Sequence, residues 1–268
     1  MMISRAAFFV LVFFCASGRA EDATGSAPPS MVRIPAGAYV PILRGKDDAD
    51  RVPVRAFWLD AHPVTNAEFL EFVRANPRWR RSVVSALFAD SGYLSHWKSD
   101  LAPGDLSPPG SPVVRVSWFA ARAFAKWKGR HLPTTAEWEV AAMAGFDRPD
   151  GKNDPAMRRL VFDWLAALVP EVLPDAASGR PDFNGAHNLH GLVWEWVDDF
   201  NTAMVTGESR ADSGLERNLF CGAGAVGAKD VADYSAFMRM AFRSSLSANY
   251  CVANLGFRCA KSIVEEGK

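Results

Sequence analysis

The sequence predicts one mixed domain of a few helices and short strands joined by long, turn-rich loops. Two Thr-x-x-Glu boxes each open a short apolar helical face. Stretches with strand character are only a few residues long. Gly, Pro, Asn and Asp recur between them, while nine Trp and eighteen Phe in 268 residues supply large side chains to pin the loops.

Residues 1–20 read as a secretory signal: Arg5 gives a positive start, Ala6 to Ala16 is apolar or small, and Gly18-Arg19-Ala20 sets cleavage before Glu21. The apolar run falls short of the roughly 20 residues that a bilayer span needs. Phe13 and Phe14 are bulky where a lipoprotein signal at Cys15 would carry small residues. The expected product is periplasmic or secreted, with no membrane span after cleavage. Residues 21–30 are a linker by composition, 31–262 the domain and 263–268 a polar tail. Thirty basic residues balance thirty acidic ones, which excludes the basic footprint of a nucleic-acid binder.

Within the domain, Met31 to Gly37 reads as a strand and turn, and the alternation of Pro53 to Leu59 as a second strand. Thr65-Asn66-Ala67-Glu68 is a capping box followed by an apolar face of Phe69, Phe72 and Val73. Ser117 caps a helix running to Lys128. Thr134-Thr135-Ala136-Glu137 repeats the box ahead of Trp138, Ala141 and Ala142. Leu160, Val161, Trp164, Leu165 and Leu168 give a further helical face, and Asp90 to Pro112 reads as a long ordered loop. Trp118, Trp127, Trp138, Trp194 and Trp196 are the expected pins.

Cleavage leaves Cys221, Cys251 and Cys259. Three thiols in an oxidising compartment form at most one internal disulfide, and the pairing is not readable from sequence. His187 and His190 stand three apart, with Asp182 and Asp198 nearby. Such a pair can ligate a divalent metal, but with no third His close by in sequence, hydrogen bonding to loop backbone is the stronger reading.

Six ordered motifs carry a family resemblance. They are Arg33-Ile34-Pro35-Ala36-Gly37; Pro63-Val64-Thr65-Asn66-Ala67-Glu68-Phe69; the Pro112 to Lys128 helix segment; Leu132 to Glu139; Gly191-Leu192-Val193-Trp194-Glu195-Trp196; and Asn254-Leu255-Gly256-Phe257-Arg258-Cys259. Together they resemble the sulfatase-modifying-factor, or formylglycine-generating enzyme, family. The resemblance implies an α+β fold of the C-type-lectin type with little regular structure. The chain is most similar to an exported accessory subgroup with a Cys-Gly-Ala-Gly strand, associated with copper nitrite reductase.

The family's oxidase chemistry uses two cysteines just upstream of the closing motif, as a thiolate pair suited to copper(I). Here no cysteine lies between Cys221 and Cys251, and Asp230, Ser235 and Met240 stand where thiols are expected. Cys221 remains either a reactive thiol, with Arg243 lowering its pKa, or a structural one. The resemblance implies that Cys259 lacks its usual disulfide partner, because Ala125 occupies that position, and Cys251 is a replacement candidate. It also implies a calcium site at Glu195 with the carbonyls of Gly191 and Val193, although Leu192 replaces the usual Asn. The competing reading of Glu195 is an ion pair with Arg243 or Arg258, and Trp194, Trp196 and Arg258 are read as structural.

Two functions follow. One is an accessory or maturation factor that binds a periplasmic protein or peptide partner belonging to a copper enzyme. The other is an enzyme with altered chemistry centred on Cys221. True formylglycine generation ranks last.

Overall fold

In a computed structural model, which describes residues 30–42, 50–201 and 231–263, short strands and helices are embedded in long loops. The predicted signal, nearly all of the linker, and the tail after Ile263 lie outside the described residues, as do Cys221 and Asp230. The strands are β1 (Met31–Ile34), β2 (Gly37–Tyr39), β3 (Val52–Val54), β4 (Phe57–Asp60), β5 (Trp194–Glu195), β6 (Leu255–Gly256) and β7 (Ala260–Ser262). The helices are α1 (Asn66–Ala75), α2 (Trp118–Trp127), α3 (Thr135–Ala141), α4 (Pro155–Ala166) and α5 (Val231–Ser244), with one 3-10 turn at Pro77–Trp79.

β4 is the centre of a three-stranded antiparallel sheet, flanked by β1 and β7. The single strand expected from Pro53 to Leu59 is instead two. β3 pairs with β2 and β4 pairs with β1, because the chain breaks at Arg55-Ala56 and changes partner. β5 and β6 form a two-residue parallel ladder that brings Trp194-Glu195 beside Leu255-Gly256.

Both capping boxes form. Thr65 and Thr134 accept from the amides of Glu68 and Glu137, whose carboxylates reach back to the cap amides at 2.8 Å. Ser117 caps α2 through the Ala120 amide. With the helix ends fixed, Phe69, Phe72 and Phe124 meet Phe257 in one aromatic core. The apolar face of α4 differs from expectation. Met157 and Val161 are buried, whereas Leu160 is exposed and Leu168 lies beyond the helix and is 94 % exposed. The helix ends at Ala166, so the phase counted through Leu168 does not apply.

Trp138 and Trp196 are buried pins, and the Nε1–H of Trp196 donates to the Val116 carbonyl. Trp127 is 40 % exposed, with its ring packed on Phe72 and Phe124 at 5.7 and 5.9 Å. The loop from Asp90 to Pro112 is instead fixed by Trp97, which is fully buried and donates to Asn66 Oδ1 at 3.0 Å. Among the described residues, no helix is long and apolar enough to cross a membrane.

Candidate functional site

The capping box of α3 sets two consecutive side chains on different buried partners. Trp138 Nε1–H donates to Glu195 Oε2 at 2.8 Å. Glu139 accepts from Arg239 Nε and Nη2 at 3.0 and 2.6 Å, and from Arg243 Nη1 at 2.8 Å. Arg239 and Arg243 are one turn apart on α5, so both guanidiniums leave the same helix face. They also lie over the Trp138 ring, 5.2 and 4.8 Å from its centroid. One carboxylate therefore faces two cations in a nearly closed site, with side chains only 8 to 12 % exposed.

This environment moves its titratable groups away from neutrality. Burial pushes the Glu139 carboxyl up, but the charges and hydrogen bonds of Arg239 and Arg243 outweigh it and hold the group down at about 2. Burial, reinforced by Glu139, pushes the Tyr39 hydroxyl up to about 12. Burial, helped by the Arg239 charge, lowers His190 to about 4, and its Nε2–H donates to the Ala142 carbonyl at 2.6 Å. Proton transfer near pH 7 is most effective with a group titrating near 7, and none of these three does. With one carboxylate against two guanidiniums, the triad carries a net positive charge.

Two hollows adjoin it. One, about 20 Å³, lies among Trp138, Trp164, Trp194 and Phe242 and has room for one water. Its aromatic wall is continuous: Trp164 meets Trp194 edge-on at 4.7 Å, and Trp194 stacks on Phe242 at 4.5 Å. The second is a cleft of about 310 Å³ with Tyr39, His190 and Arg239 in its lining, alongside the apolar Val40, Met143 and Met157.

Glu195 resolves in favour of the arginine pair, and the partner is Arg258. Arg258 Nε and Nη2 lie 2.8 to 3.0 Å from its oxygens. Arg258 also donates to the Asp60 and His187 carbonyls at 3.2 and 2.7 Å. Arg243, the other expected partner, belongs to Glu139. With Trp138, the carboxylate of Glu195 accepts four hydrogen bonds from three N–H groups, two on each oxygen, which commits it to these partners and not to the calcium ion expected there. The Gly191 carbonyl accepts from the Val193 amide at 2.9 Å, and Val193 packs against Val114 and Leu173.

Cys251 and Cys259 carry free thiols, so no disulfide joins them. Cys259 and Ala125 share the core, each fully buried. Burial pushes both thiols up, assisted by Asp90 at Cys251 and by Asp60 at Cys259. Neither offers the thiolate that copper(I) prefers. His190 is a loop histidine bonded to backbone, and no group of three or more His, Cys, Asp or Glu among the described residues is placed to hold a metal. Sequence reasoning missed Tyr39, Glu139 and Arg239. The i, i+4 spacing of Arg239 and Arg243 was visible, but the acid between them is distant in sequence.

Comparison with known proteins agrees with this frame. The profile of the sulfatase-modifying factor enzyme 1-like domain matches residues 17–263. A formylglycine-generating enzyme of Streptomyces coelicolor is 31 % identical, over 81 % of this chain and 81 % of that protein. The Bos taurus formylglycine-generating enzyme is 29 % identical, over 91 % and 78 % respectively. A Mus musculus protein named inactive C-alpha-formylglycine-generating enzyme 2 is 28 % identical, over 91 % and 88 %. The chain therefore belongs to the sulfatase-modifying factor enzyme 1-like, or FGE-sulfatase, domain family.

Proposed function

We propose that this chain is an exported formylglycine-generating-enzyme relative that has kept the C-type-lectin-like frame without the catalytic cysteine pair. It serves as an accessory or maturation factor, holding a segment of a periplasmic partner that belongs to a copper enzyme. One observation carries the reading. Where the family resemblance expects thiols, α5 instead commits Arg239 and Arg243 to Glu139 in a buried ion triad. The two described thiols are buried and held protonated. The adjoining cleft sets the apolar Val40, Met143 and Met157 among charged residues of both signs, which suits a polypeptide segment. A relative whose name includes the word inactive gives a precedent within the family.

The rival reading needs Arg243 to activate Cys221. Arg243 is already occupied by Glu139 and Trp138, which favours the accessory role. The test incubates the mature protein with a cysteine-containing peptide, copper(I) and oxygen, and seeks the peptide aldehyde by mass. No aldehyde is expected. Aldehyde formed by the wild type and lost in Cys221→Ser would overturn the proposal. In a producing cell, removing the protein should lower the copper content of the partner enzyme, and Cys221→Ser should restore it.

A further inference from the structure

A separate groove of about 810 Å³ runs between the outer face of α2 and the segment from Arg78 to Phe88. Phe119, Arg122, Ala123 and Lys126 recur at steps of three and four residues, so one stripe of α2 forms a wall. The 3-10 turn at Pro77–Trp79 and the turns after it form the other. No lining residue is shared with the cleft beside Glu139.

The floor is a chain of rings. Phe72, Trp79, Phe88, Phe119 and Trp118 follow one another with centroids 5.3 to 6.4 Å apart. The frame around them is fixed. The Tyr93 hydroxyl donates to the Trp79 carbonyl at 3.0 Å, and the Trp118 indole donates to the Val197 carbonyl at 3.1 Å. The Phe88 and Ala89 amides donate to the Ser85 carbonyl at 2.8 and 3.1 Å. That turn holds Phe88 in place yet leaves it 42 % exposed, with Val83 at 57 % in the same groove. A contiguous apolar surface with a charged rim is the mark of an interaction site.

The rim is cationic. Arg78, Arg122, Lys126 and Arg130 line the groove against one acid, Asp198. Asp198 pairs with Arg122 at 3.1 Å, and Arg130 pairs with Asp60. Among the described residues, neither Arg78 nor Lys126 has an ion-pair partner. One uncommitted cation therefore stands on each wall.

We propose that this groove docks an extended segment of a partner polypeptide in which apolar or aromatic residues lie between carboxylates. The rings take the apolar side chains, while Arg78 and Lys126 take the carboxylates. A nucleic acid is the poorer match. It needs several phosphate contacts, whereas two cations are uncommitted and thirty basic residues in the chain balance thirty acidic ones. The proposal rests on this groove alone and not on the accessory reading.

The test titrates a fluorescent peptide, a Phe-Leu pair flanked on both sides by glutamates, into the purified protein and follows polarisation. The comparisons are a peptide with glutamine for every glutamate, one with alanine for Phe-Leu, and a thymidine oligonucleotide of equal length. Amide shifts in NMR spectra locate the contact. Saturable binding of the acidic peptide is expected, with shifts at residues 78–88 and 118–126 and with both altered peptides at least about fivefold weaker. Arg78→Glu/Lys126→Glu should weaken the acidic peptide about tenfold, and Phe88→Ser about fivefold. All three positions are exposed, so the fold tolerates the changes. Affinity that is indifferent to either change of peptide overturns the proposal without any variant. So does the absence of saturable binding at about millimolar peptide, or unchanged affinity in a folded Arg78→Glu/Lys126→Glu. Shifts confined to residues outside the groove, or an oligonucleotide that binds there as tightly as the peptide, overturn it as well.

Discussion

Glu195 and Arg258 form a doubly hydrogen-bonded ion pair at 2.8 to 3.0 Å, with side chains no more than 1 % exposed. The pair ties β5 to the segment after β6 across a separation of 63 residues. Removing one partner of such a pair strands a buried charge, at a cost of about 3–5 kcal/mol. Arg258→Met should therefore lower the unfolding free energy by that amount in urea titrations. The double variant Glu195→Gln/Arg258→Met should lose less than the sum of its single changes, because no charge is left without a partner. Additive losses would show that the two residues act separately.

The Glu139 triad makes the docking of α5 depend on one carboxylate. Glu139→Gln leaves Arg239 and Arg243 facing each other with no counter-charge, so α5 should open more readily. Faster amide hydrogen exchange confined to residues 231–244 is the expected readout. The sign with pH follows from the lowered pKa, about 2 against an ordinary 4.5. Stability from this group is complete above pH 4.5 and is lost as pH falls towards 2, by at most about 3 kcal/mol. Unchanged exchange in the variant would mean that other contacts hold α5.

Much of the frame was legible because its devices are local. The boxes at Thr65 and Thr134 need only four residues each, and both form. The aromatic face of Phe69, Phe72 and Val73 follows from helical spacing. What the sequence could not reveal is long-range. Trp97 pins its loop through Asn66, thirty-one residues away, and Glu139 meets Arg239 a hundred residues on. Nothing in the local pattern distinguishes Trp97 from the half-exposed Trp127. The exchange of β3 and β4 between two sheets likewise depends on partners that alternation alone does not name.

His190 should make the fold lose stability in mild acid. Its pKa falls from an ordinary 6.5 to about 4, so the unfolded chain binds the proton first. Stability then declines between pH 6.5 and 4, by at most about 3 kcal/mol, and is flat above that range for this group. His190→Gln, which can still donate to the Ala142 carbonyl, should make the midpoint of thermal unfolding fall less steeply between pH 6.5 and 5, the remaining slope coming from groups such as His96, which burial also lowers to about 4. A variant with the wild-type slope would assign the acid lability to another group.

The thiols give the most direct chemical check on the core. Cys251 Sγ donates to the Asn249 carbonyl at 3.4 Å, and the Cys251 amide donates to Asp90. Cys259 is fully buried, with its amide on Asp60. Burial raises both thiols, and the thiolate is the reacting species, so each is shielded by access and by protonation state. Alkylation of the native protein at pH 8, followed by peptide mass mapping, should leave Cys251 and Cys259 unmodified; both should label fully once the chain is unfolded without reductant. If either resists labelling until reductant is added, it is disulfide-bonded in the purified protein. If Cys251 labels rapidly in the native state, the segment from Asn249 to Val252 opens on the timescale of the reaction. Slow labelling of Cys259 that tracks global unfolding would place it in the last part of the core to open, as expected beside β4 and β7.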